Sequence, residues 1–186
     1  MSTARGWLAQ IAARTGRLVR MVPTPSEDNS TTTDRYGTWV AEDLDGIGLL
    51  APHTTRLRIR AIEQAGQPLA VYRVISGGGL VWALAAAPSA TNGSGETTVS
   101  MIDPRTDRII RRVQVSEADG ALVARGALYL GALDHGHIYR VTRGGALQTF
   151  NTPHRRAALA TASSGVIWAA TSTKPGRLLS LKLPLG

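Results

Sequence analysis

Short apolar runs alternate with polar turns along the chain. Between Gly37 and Pro184 the runs are mostly five to eight residues long and rich in Val, Ile, Leu, Thr and Tyr, and Gly, Pro, Asp or Asn bound them. That is the pattern of β-strands joined by tight turns. Five segments share a finer pattern, in which a small residue leads into apolar residues around one aromatic: GWLAQIA at Trp7, GTWVAED at Trp39, GLVWALA at Trp82, ALYLGAL at Tyr129 and GVIWAAT at Trp168. The aromatics stand 32, 43, 47 and 39 residues apart.

The segments after each aromatic repeat as well. After Trp82 come a polar turn over 89–96, TTVSMIDP, a turn over 105–107, RIIRRVQV, and then GALVARG, which leads into the next aromatic segment. After Tyr129 the order is HIYRVT, Arg143-Gly144-Gly145, ALQTFNTP and RAALATAS; after Trp39 it is IGLLAP, RLRIRAIE and PLAVYRV. Each repeat thus holds four strands: GALVARG is a first strand, ALYLGAL a second, HIYRVT a third and ALQTFNTP a fourth. A lone four-stranded antiparallel sheet leaves both faces bare, so such repeats must stack face to face. Spacings of 43, 47 and 39 lie near the roughly 40 to 50 residues per blade of propeller repeats. The expected fold is all-β, a β-propeller of four-stranded antiparallel blades, with about four to five units in an incomplete ring. Residues 1–36 are expected as an irregular segment or partial blade, and 37–186 as blades with units near 37–78, 79–126, 127–164 and a partial 165–186. Trp39, Trp82, Tyr129 and Trp168 are expected at equivalent positions, buried between successive sheets.

The run MIDPRTDRIIRRVQV, Met101 to Val115, resembles the I-D-P-x-T-G-x-V hairpin of bacterial β-propeller repeat proteins of the YVTN, NHL and streptogramin-lyase-like types, and GVIWAAT resembles their G-x-L-W-V-A strand. Asp107 stands where those hairpins usually carry glycine. The resemblance covers roughly Gly37 to Pro184 and implies a fold rather than an activity. It also implies that ligands sit on the face built by the loops between second and third strands and by those leading from a fourth strand into the next first strand. In the streptogramin lyases it implies a histidine and a glutamate around a divalent ion, and no such pair aligns here.

The ends fit the repeat less well. The interval from Pro23 to Thr33 reads as disordered and is too polar to hold both a fourth and a first strand. The segment from Trp7 to Val22 fits either a hairpin or one helix face, with Gly16 against the helix. RLLSLKLP supplies a last third strand. The chain is then an arc of a larger ring, or a ring of four blades closed by the N-terminal RLVRMVP.

Composition changes this picture little. With no cysteine the chain has no disulfide, thiolate zinc site or cysteine nucleophile. The formal charge of +8 comes from arginines scattered through every segment, paired closely only at Arg111-Arg112 and Arg155-Arg156 and with no interleaved aromatics, so a nucleic-acid partner is not expected. No apolar leader and no run of about 18 apolar residues occurs, so the expectation is a soluble chain without a membrane span, cytoplasmic by default.

The implied ligand face collects Asp43, Asp45, Glu96, Asp134, His135, His137, His154 and Arg155 as binding candidates. Asp134-His135-Gly136-His137 is the densest cluster, and two imidazoles with a carboxylate could begin a metal site. Asp and Gly also make a turn there that the histidines merely decorate, and a third protein ligand would have to come from His154. Ser76, Ser163 and Ser164 lack a G-x-S-x-G elbow, and Gly77 to Gly79 lack the lysine and helix of a phosphate loop. A non-enzymatic binding or sensory module with an unidentified protein or small ligand on its loop face, and no cofactor, is the expected function. The alternative is a lyase or hydrolase using a divalent metal held by His135, His137, Glu96 or His154. Open blade edges are expected to favour self-association.

Overall fold

A computed structural model of the chain describes residues 6–26, 30–88, 95–132, 136–152, 157–161, 166–171 and 178–182, and its regular structure there is entirely β. A hairpin of β1 (Gly6–Ile11) and β2 (Leu18–Thr24) comes first. The first sheet is next, with β3 (Thr31–Asp34), β4 (Gly37–Ala41), β5 (Ile47–Leu50) and β6 (Arg58–Arg60). A two-rung ribbon, β7 (Glu63–Gln64) and β8 (Gln67–Pro68), leads to the second sheet of β9 (Ala70–Gly77), β10 (Leu80–Ala86), β11 (Thr97–Asp103) and β12 (Arg108–Val115). The third holds β13 (Ala118–Ala124), β14 (Ala127–Ala132), β15 (His137–Thr142) and β16 (Leu147–Asn151), and the last holds β17 (Ala157–Thr161), β18 (Val166–Thr171) and β19 (Leu178–Lys182). Strand order follows chain order in every sheet. The chain groups into two compact units, residues 1–74 with 83–88, and 75–82 with 89–186.

The turns explain why the strands fold back so tightly. Gly78 and Gly79 join β9 to β10, and Arg125 and Gly126 join β13 to β14, all four at positive φ, as in the favoured two-residue hairpin turn. Gly78 also has no room for a side chain, since a Cβ there would lie 2.8 Å from the Gly126 Cα. Ala65 and Gly66, at φ 51° and 77°, make the same kind of loop between β7 and β8. That ribbon escapes sequence reading because alanine is a poor marker of a left-handed turn. Asp107, in the glycine position of the hairpin motif, takes φ 55°, a conformation that aspartate tolerates better than most residues.

In the complete sheets the second strand forms the core. β10 from Leu80 to Ala85 and β14 throughout are buried, so residues facing each way along these strands are covered. Trp39 and Trp82 are fully buried and still satisfy their indole N–H: Trp39 Nε1 donates to Asp34 Oδ2 at 3.3 Å, and Trp82 Nε1 to the Gly77 carbonyl at 3.2 Å. In both cases the acceptor lies five residues back, at the end of the preceding strand. Within the second unit β13 lies against β17, and Tyr129 packs in one cluster with Leu122, Ala127, Ile138, Ile167 and Ala169.

Three expectations need correction. Trp168 occupies the register position of the other aromatics but is 37% exposed, against 0% for Trp39 and Trp82 and 1% for Tyr129. Its neighbours Ile167 and Ala169 face Tyr129, so alternation turns Trp168 to the opposite side, and among the described residues nothing covers that side. Trp7, 60% exposed, does not belong to the series. Its strand comes three strands before β4, in the place of a third strand. Gly6 precedes Gly37 by 31 residues, as Ile47 precedes Leu80 by 33, Thr97 precedes Ala127 by 30 and His137 precedes Val166 by 29. The short interval after Trp7 is therefore an ordinary spacing from a third strand to the next second strand. Finally, the stretch from Pro23 to Thr33 is not irregular throughout, because β2 runs to Thr24 and β3 starts at Thr31. The hairpin alternative for residues 7–22 is the one the chain adopts: the Ala12 N–H donates to the Arg17 carbonyl at 2.9 Å, and Gly16 takes φ 65°.

These positions generate two expectations for stability. Trp82→Ala should cost about 3 to 5 kcal/mol, the usual range for removing a large buried aromatic, whereas Trp168→Ala should cost less than about 1 kcal/mol, as for an ordinary surface site; urea denaturation of both variants checks the contrast. Ala65→Asn should stabilise the chain by about 0.5 to 1 kcal/mol, because asparagine is favoured in the first position of this turn, and the same melts would read it.

Candidate functional site

The loops from second to third strands, and those from a fourth strand to the next first strand, lie at one end of each sheet because antiparallel strands reverse at every turn. In the second unit this end is built by the β12 to β13 link, the starts of β11, β13 and β15, and the residue after β16. Ser116 stands between β12 and β13, and its hydroxyl shares a hydrogen bond with the Tyr139 phenol on β15. Two residues back on that strand, His137 projects to the same side, its ring 6.2 Å from that of Tyr139 and inclined by 57°. The buried Thr97 Oγ1 accepts the Ala118 N–H at 3.2 Å, fixing the start of β13 to the start of β11. The Thr152 N–H donates to the Gly136 carbonyl at 2.6 Å and closes the other side of β15. The result is a serine hydroxyl and a phenol joined by a hydrogen bond, with the His137 imidazole beside the phenol.

The matching end in the first unit is acidic. The β4 to β5 turn, Glu42-Asp43-Leu44-Asp45-Gly46, is closed by the Glu42 N–H to the Gly46 carbonyl at 2.9 Å and the Asp45 N–H to the Glu42 carbonyl at 2.9 Å. Asp43, at φ 49°, exchanges two backbone bonds with Val71, at 3.2 and 2.9 Å. Gly46, at φ 101°, admits no side chain, since a Cβ would fall 2.1 Å from the Arg60 carbonyl oxygen. The Glu42 carboxyl is fully buried, and its Oε2 accepts the Ser26 N–H at 3.2 Å. No donor among the described residues reaches Oε1. Desolvation raises its pKa from the ordinary 4.5 to about 7; the Ser26 N–H opposes the shift and the nearby Asp45 charge adds to it. Glu42 thus ties the segment after β2 to the turn.

The proposed binding residues are distributed over these two ends. Asp43 and Asp45 are exposed in the acidic turn, and Asp43 bonds Val71 through its main chain only. Glu96 is exposed just before β11, and His137 is half-buried at the start of β15. Asp134, His135, His154 and Arg155 lie outside the described residues. Among the described residues no three His, Asp or Glu side chains gather as metal ligands would. Sequence reading passed over Ser116, Tyr139 and Glu42. The i, i+2 relation of His137 and Tyr139 within HIYRVT was a usable signal. Glu42 carried none, because nothing in GTWVAED marks which acid is buried.

No protein-family model and no curated protein matches the sequence. Comparison of structures is informative. Virginiamycin B lyase from Staphylococcus aureus superposes with a TM-score of 0.68 at 17% identity, covering 96% of this chain and 64% of that one. A streptogramin B lyase matches at 0.57 and 15% identity, over 84% of this chain and 54% of that one. The fold is that of a β-propeller. The extracellular domain of a one-component system from Bacteroides thetaiotaomicron shares it, at 0.57 and 16% identity over 95% of this chain and 26% of that one. This propeller chain therefore spans less than two thirds of the lyases it resembles. At such identities the likeness covers the fold alone.

The buried Glu42 carboxyl predicts a pH dependence. A folded-state pKa above the unfolded value means that the native protein binds the proton more tightly, so its stabilisation is complete below about pH 4.5 and is lost as pH rises through about 7. The loss attributable to Glu42 should be no more than about 3 kcal/mol. Urea midpoints of the wild type should fall across pH 5 to 8, and Glu42→Gln should flatten that fall and match or exceed the wild type at pH 8.

Proposed function

We propose that this propeller is a non-enzymatic binding module that takes a small polar ligand or a peptide on the end carrying Ser116, His137 and Tyr139. The observation behind the reading is the grouping of those side chains. The Ser116 to Tyr139 hydrogen bond and the adjacent imidazole offer donors and acceptors together, which suits recognition by hydrogen bonding. Glu96 is proposed as a further contact there, together with Asp134, His135, His154 and Arg155, and Asp43 and Asp45 are proposed as separate contacts on the matching end of the first unit. The propeller fold serves an enzyme in the lyases and an extracellular domain in the one-component system, so fold does not decide between catalysis and binding.

The lyase likeness favours a second reading, a divalent ion held by His135, His137, Glu96 or His154 in a lyase or hydrolytic enzyme. One titration separates the two. Calorimetry with zinc and with magnesium should give the same trace for the wild type and for His135→Ala with His137→Ala, and quinupristin, which a solved virginiamycin B lyase complex contains, should be recovered intact. A micromolar metal site that the double substitution abolishes, or turnover of quinupristin, would replace the binding reading by the catalytic one.

A further inference from the structure

The chain carries two exposed apolar faces, one in each unit. On the last sheet Trp168 pairs with Ser180 and Ala170 with Leu178, so all four lie on one side and are exposed; Trp168, Ala170 and Leu178 form its apolar part, and the exposed Lys182, paired with Val166, borders it. On the N-terminal hairpin Trp7 pairs with Pro23, Ala9 with Met21 and Ile11 with Leu18, and these six are exposed as well. The hairpin's other side carries Val22 and Thr24, both buried, opposite Leu8 and Gly6. Exposed apolar surface concentrated on one side of a sheet marks a contact surface.

We propose that these faces bind each other between two copies of the chain, the last sheet of one against the N-terminal hairpin of the next. The cluster at Tyr129 shows what covers such a face. There the aromatic side of one sheet packs on the opposite side of the next sheet in sequence, through Ile167 and Ala169. Trp168 repeats the Tyr129 position and presents the same aromatic side. The side it needs is one that looks back towards a preceding sheet. The hairpin's exposed side answers that description, because its other side is the buried one. The two faces differ, so the contact is head to tail. Such a contact closes into a ring when the rotation between copies permits and otherwise extends as a filament. A symmetric pairing of Trp168 on Trp168 would instead join two aromatic sides, which happens nowhere in the Tyr129 cluster.

Light scattering on the 186-residue chain tests this. The wild type should associate as its concentration rises, and Trp7→Arg and Trp168→Arg should each be monomeric. An equimolar mixture of the two variants should form dimers and nothing larger, because one retains an intact last sheet and the other an intact hairpin. Met21→Glu and Leu178→Glu, at exposed positions on the same two faces, provide a second pair, and circular dichroism checks that each variant keeps its sheet content. A wild type that stays monomeric at all concentrations overturns the proposal. So does a folded single variant that still associates, or a mixture that remains monomeric; a dimer abolished by Trp168→Arg alone would indicate the symmetric contact.

Discussion

An antiparallel sheet whose second strand is apolar on both sides has to be covered on both sides. β14 embodies the constraint. Leu128 and Leu130 alternate with Ala127, Tyr129 and Gly131, and every one of them is buried, so the strand cannot rest with one face in water as a two-layer protein's sheet can. Each such sheet requires another on either side, which makes the repeat the unit of stability rather than the single sheet. The close approach of Gly78 to Gly126 and the contact of Gly77 with Val123 in the second unit are local forms of the same stacking.

The polar chemistry is a consequence of that packing. Indole N–H groups forced into the interior must find acceptors, and the chain answers twice with a group five residues earlier, a carboxylate for Trp39 and a main-chain carbonyl for Trp82. At the opposite end of the sheets lie the polar groups, a hydroxyl, a phenol and an imidazole in the second unit and carboxylates in the first. Glu42 is the exception, an acid drawn inside by a turn that Gly46 compresses. Its raised pKa reflects desolvation by burial, which the Ser26 N–H only partly opposes.

Much of the fold was legible because sheet periodicity is local. ALYLGAL, HIYRVT and ALQTFNTP mark three successive strands with turn residues between them, and β14, β15 and β16 fall on them. Trp168 misled because burial is not local. Its segment has the same sequence character as the segment around Trp82, yet among the described residues side chains cover Trp82 on its side of the sheet and leave Trp168 exposed on its own. Trp7 misled for a related reason, since an aromatic after glycine looks alike on a second and on a third strand. The candidate site was legible in part. Asp43, Asp45, Glu96 and His137 can be placed at the end with the second-to-third strand loops once strand order is known, but the bond between Ser116 and Tyr139 joins residues 23 apart, and no sequence pattern announces it.

The two ends of each sheet differ in how much change they can absorb. First and second strands are joined by two residues at 35–36, 78–79 and 125–126, and several of these positions require positive φ or lack room for a side chain. Second and third strands are joined by five residues at 42–46, ten at 87–96, four at 133–136 and six at 172–177. Loop-closure entropy grows only slowly with length, so the second set can lengthen or be rewritten at small cost to the stack. Over evolutionary time each sheet is free to acquire new specificities at the end with the longer loops while its other end, held by two-residue turns, keeps the strands in register.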